Sequence, residues 1–134
     1  MFTKSALSLS DVKAIAAGCE AEALANAWAV SFAIVDDGGH LLWLQRLDGA
    51  APISAEICQG KAKTAALGRR ESKVYEDMIN NGRVSFLSAP VLTGLLEGGV
   101  PITVDGHVVG AVGVSGVKST EDAQIARAGI AKLG

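Results

Sequence analysis

Asp105-Gly106 lies between two apolar runs, residues 102–104 and 107–114. Asp-Gly is a preferred dipeptide of the two-residue type I′ turn, where both central residues take positive φ. The two runs are therefore committed to antiparallel pairing, since parallel neighbours need a long crossover. The second run, VVGAVGV, is apolar throughout and reads as a central strand covered on both faces. Within it Gly110 and Gly113 carry no side chain, so a helix or ligand can approach closely. A second hairpin is written in IVDDGGHLLWLQR, with its turn at Asp36-Asp37-Gly38-Gly39.

Helical periodicity surrounds these hairpins. Ser8 is a plausible N-cap with Asp11 three residues on, and Val12, Ile15, Ala16, Cys19 and Ala23 follow at helical spacing. That helix fades near Asn26. A second runs from about 54 to 68, and a third, SKVYEDMINNG, ends at Asn81-Gly82. A last helix starts at Ser119 or Thr120. Residues 83–101 hold two prolines and several glycines and read as a loop with one short strand near 95–97. The expected order is α-β-β-α-α-(β)-β-β-α: one α+β domain over 1–134, with an antiparallel sheet of about five strands and helices packed on it.

Composition narrows the function. The 134 residues carry a net charge of −2, and aromatics make up 4%, which argues against a nucleic-acid surface. The hydrophobic fraction is 49% and the mean hydropathy +0.33, yet no run approaches a membrane span. The N-terminus lacks the apolar stretch of a signal peptide. These features predict a cytoplasmic chain that hides surplus apolar surface in a homo-oligomer. Cys19 and Cys58 lack metal-site spacing and read as reduced core thiols; no metal site is expected.

The stretch CQGKAKTAALGRR, 58–70, raises a sharper question. Lys61 and Lys63 are two positions apart, so on a helix they face nearly opposite sides. Lys63 shares its side with Glu56, Gln59 and Arg70 and reads as solvated. Lys61 lies among Ile57, Cys58, Thr64, Ala65 and Gly68. There it must snorkel, pair with a distant acid, meet another subunit or bind an anionic ligand. A pocket around Lys61 and Thr64 would be completed by Glu97, Gly98 and Gly99, whose loop can aim N–H groups at an anion, although such a sequence is also ordinary turn chemistry. Ser115 in GVSG lacks the surroundings of a nucleophile elbow, but with Lys61, Glu97 and His40 it is a candidate for binding a small carboxylate. His40, which starts an otherwise apolar strand, is the better candidate of the two histidines for an iron ligand or proton carrier; His107 reads as a solvated hairpin residue. Arg69 and Arg70 suit the C-terminus of their helix, and Trp28 and Trp43 suit a core or an interface.

Taken in order, IVDDGGHLLWLQRLDGA, KAKTAALGRR, LEGGVPITVDGHVVGAVGVSG and EDAQIARAGI resemble the GlcG/HbpS family, which includes the C-terminal domain of PduO-type proteins. The resemblance spans nearly the whole chain, and Lys61 matches the family's lysine. It implies a profilin-like α+β fold, homo-oligomerisation and, in some members, haem binding. Three functions are then open: a binding protein for haem or another anionic molecule, an enzyme acting on a small carboxylate in a catabolic pathway, or an accessory module that stabilises a partner enzyme. The adenosyltransferase chemistry of PduO-type proteins resides in another domain, which is not in this sequence.

Overall fold

Ser8 caps α1 (Leu9–Ala25) as its spacing predicts. Its hydroxyl accepts the Asp11 N–H at 3.1 Å, and the Asp11 carboxylate accepts the Ser8 N–H at 2.8 Å. The computed structural model describes residues Met1–Gly134. After α1 come β1 (Ser31–Asp36), β2 (Leu41–Arg46), α2 (Pro52–Gly68) and α3 (Ser72–Asn80). A 3-10 turn at Val84–Ser88 leads to β3 (Gly99–Val104), β4 (His107–Ser115) and α4 (Ser119–Ile130).

The sheet has four strands, not five, in the order β2-β1-β4-β3, all antiparallel. No strand forms at 95–97. That segment bends and turns, and the chain enters β3 at Gly99. The glycines and Pro101 of EGGVP read as turn punctuation, but β3 is an edge strand, where proline is tolerated. Both hairpins form as expected. Asp105 and Gly106 have φ of 50° and 79°, the left-handed pair a type I′ turn needs. In the first hairpin the Asp36 carboxylate accepts the N–H groups of Gly38 and His40, both at 2.9 Å.

Each face of the sheet has its own core. Phe32 and Ile34 of β1, Ile102 of β3, and Val112 and Val114 of β4 pack with Val12, Ile15 and Ile125 of α1 and α4. Burying each of these larger side chains contributes about 1.5–3 kcal/mol. The opposite core is made of small residues: Ala33, Val35 and Ala111 meet Cys58, Ala62, Ala65 and Ala66 of α2. There α2 lies almost on the backbone of the sheet. A Cβ at Gly113 would sit 2.1 Å from the Cys58 carbonyl oxygen, and one at Gly99 would sit 2.2 Å from that of Lys61.

Candidate functional site

The close approach of α2 decides where Lys61 goes. Its side chain runs past Gly98, just before β3, and only 3% of the residue is exposed. The ammonium donates to the Val114 carbonyl at 2.9 Å and to Asp122 Oδ2 at 3.1 Å. Gly98 makes room for it: φ there is +132°, and a Cβ would lie 2.8 Å from Lys61 Nζ. Asp122 stands in the first turn of α4 and is 1% exposed. Its Oδ1 accepts the Val117 N–H at 3.2 Å. Burial pushes the Asp122 carboxyl above its ordinary range; the charge and hydrogen bond of Lys61 and the Val117 N–H oppose that rise.

Of the residues singled out in the sequence, Gly98 and Gly99 lie against Lys61, Thr64 is three positions along the same helix, and Ser115 follows Val114, whose carbonyl accepts from Lys61. Thr64 is buried and its hydroxyl receives the Gly94 N–H at 3.4 Å. The Gly99 N–H donates to Ser72 Oγ at 2.8 Å. Glu97 is half-buried at the turn before them. Ser115 ends β4 opposite Ser31, whose hydroxyl shares a hydrogen bond with Ser54 at 2.8 Å. Sequence reasoning missed Asp122 and Ser72. A buried lysine called for a distant acid, but local spacing cannot select a partner on another helix. The arrangement neutralises a buried carboxylate and ties α2 to α4 across the end of β4.

His40 lies elsewhere, at the start of β2's approach from the hairpin turn. Its side chain is 81% exposed, and Nδ1 is 3.2 Å from Asp36 Oδ1. A carboxylate on Nδ1 favours the tautomer protonated there and leaves Nε2 free as a ligand atom. Beside it, Leu41, Leu42 and Leu44 of β2 are exposed. Arg69, in the left-handed C-cap of α2, donates to the carbonyls of Asp37 and Ala66. A cation thus stands next to the same turn.

The other lysine borders a cleft. Lys63, Glu56 and Gln59 line a space of about 220 Å³ with Val35, Gly39, Leu41 and Thr93. His107 stacks on Phe2 with ring centroids 5.3 Å apart. Cys19 and Cys58 are free and buried, and burial pushes both thiols up to about 12. Trp28 and Trp43 are half-buried against the α1/α4 core. No three His, Cys, Asp or Glu side chains come together to hold a metal ion. No helix is long and apolar enough to cross a membrane.

This architecture and sequence are shared with known proteins. Residues 7–131 match the family model described as "Haem degrading protein HbpS-like". Protein GlcG of Escherichia coli strain K12 is 60% identical over 115 residues, which cover 86% of this chain and 85% of GlcG. A double mutant of Streptomyces reticuli HbpS superposes with a TM-score of 0.90 at 30% identity, covering 100% of this chain and 91% of that one. The crystal structure of a PduOC:heme complex gives a TM-score of 0.85 at 26% identity over 96% of this chain and 95% of that one. The GlcG/HbpS resemblance read from the sequence and the antiparallel α+β fold agree with these relatives, and the chain belongs to the HbpS-like family.

Proposed function

We propose that this protein binds a small anionic ligand, with haem the best fit, and that His40 is the ligand to its iron. The observation that carries this reading is the likeness to a chain solved with haem, over 96% of the residues here. The chemistry of the β1–β2 hairpin supports it. His40 offers Nε2 to solvent while Asp36 orients Nδ1. Leu41, exposed next to His40, suits an apolar macrocycle, and Arg69 suits a propionate. When bound, haem would supply a redox-active iron. The residues of this chain would orient the imidazole, shield one face of the ring and hold an acid group.

Lys61, Thr64, Glu97, Gly98, Gly99 and Ser115 take a supporting part in this reading, holding α2, β3 and β4 in register rather than touching the ligand. The reading includes a cytoplasmic location and a homo-oligomer, and the assembly is favoured by the exposed Leu42 and Leu44 on one edge and Val84, Leu87 and Val91 after α3.

Titration with hemin tests it. A saturable shift of the Soret band is expected in the wild type, with loss of that shift in His40→Ala. An unchanged shift in His40→Ala would remove His40 from the site, and no shift in the wild type would overturn the haem reading.

A further inference from the structure

A separate cavity of about 550 Å³ lies where β3 and β4 meet the α1/α4 layer. Its floor is Ile102 and Val109, both buried, and its walls include Leu7, Ile130 and Leu133. Two features of the hairpin shape it. The ladder slips between Ile102 and Thr103, and Val109 belongs to the α1/α4 core. Gly110 has no side chain, and a Cβ there would lie 2.7 Å from Leu7 Cδ1. The segment before α1 can therefore settle on the sheet and wall the cavity.

The charge of the side chains at this cavity has one sign, beside the neutral hydroxyls of Ser5 and Thr103. Asp11 lines it, and no Lys or Arg does. The Asp11 carboxylate accepts the Ser8 N–H through Oδ2 and forms no ion pair. The hydrogen bonds from Ser8 hold it below the usual carboxylate range, so it is an anion at neutral pH. Its volume is that of a small-molecule site, where apolar walls supply affinity and a few polar groups fix orientation.

We propose that this cavity binds an apolar amine, with the alkyl or aryl body against Leu7, Ile102, Val109 and Ile130 and the ammonium on Asp11. Haem does not suit it, because its propionates would meet the Asp11 carboxylate without a compensating cation. No residue of the cavity belongs to the β1–β2 hairpin, so this site stands or falls independently of the His40 reading.

Isothermal titration calorimetry with n-octylamine, n-octanol and n-octanoate at pH 7 tests the assignment. Octylamine is expected to bind at one site per chain, about fivefold more tightly than octanol, and octanoate more weakly than either. Asp11→Asn is expected to erase the preference for the amine over octanol. This ratio is insensitive to any loss of helix capping. Ser5→Trp, an exposed position on the lining, is expected to block all three, and His40→Ala to leave them unchanged. Equal affinities for the three probes, a preference retained in Asp11→Asn, or undiminished binding in Ser5→Trp would each overturn the proposal.

Discussion

Lys61 and Asp122 show what a buried charge costs and what removing half of a pair does. Both are almost wholly enclosed, and each is satisfied by the other and by one backbone group. Lys61→Met leaves Asp122 buried without its counter-charge, and a loss of about 3–5 kcal/mol in unfolding free energy is expected by chemical denaturation. The double variant Lys61→Met, Asp122→Leu is expected to recover most of it, because an apolar pair of similar volume has no desolvation penalty. The single variant also has a signed pH dependence. The Asp122 carboxyl is raised in the folded state, and removing the Lys61 charge raises it further. A raised acid contributes stability below its unfolded value of 3.8 and loses it as pH climbs through the folded value. Lys61→Met is therefore expected to be least damaged in acid and progressively weaker toward neutral pH. The sequence separated Lys61 from Lys63 because helical geometry is local. It could not name Asp122, which lies 61 positions away on another helix.

At the scale of elements, two contacts with the sheet obey different rules. The α1/α4 face is packed with Phe32, Ile15, Ile34 and Ile102, whose side chains can adjust to the loss of a methyl. Ile102→Val is expected to cost about 0.5–1.5 kcal/mol. The α2 face has no such slack. Gly113→Ala adds one methyl against the Cys58 carbonyl and the Ala62 amide. It is expected to cost about 3 kcal/mol or more, since backbone atoms cannot rotate away. Thermal unfolding of the two variants side by side checks the asymmetry. Much of this was legible. Ser8 and Asp11 marked the start of α1, Asp105-Gly106 set the second hairpin, and Gly110 and Gly113 announced a close approach. Gly99-Val100-Pro101 was misread, because the same residues that punctuate loops are acceptable on a sheet edge. The 3-10 turn at Val84–Ser88 carries no cap that would have revealed it.

For the whole molecule, the exposed leucines of β2 are the feature a single chain does not account for. An edge strand bearing Leu41, Leu42 and Leu44 invites association unless it is covered. Leu42→Lys with Leu44→Lys is expected to lower the mass measured by light scattering if the chains assemble along this edge. A mass equal to that of the wild type would move the contact to Val84, Leu87 and Val91. The family was legible because its ordered text spans the sequence. The site was less so, because the cavity behind Leu7 and the Lys61–Asp122 pair arise only when distant segments fold together.

The bare seam between α2 and the strands has one further result. Where two peptide chains touch without side chains between them, a small fluctuation has nothing to deform. The segments stay in contact or separate as a unit. Amide deuteration at 58–62 and 111–114, followed by mass spectrometry, is accordingly expected to advance in step and among the slowest in the molecule. An opening that frees one of these stretches must free the other.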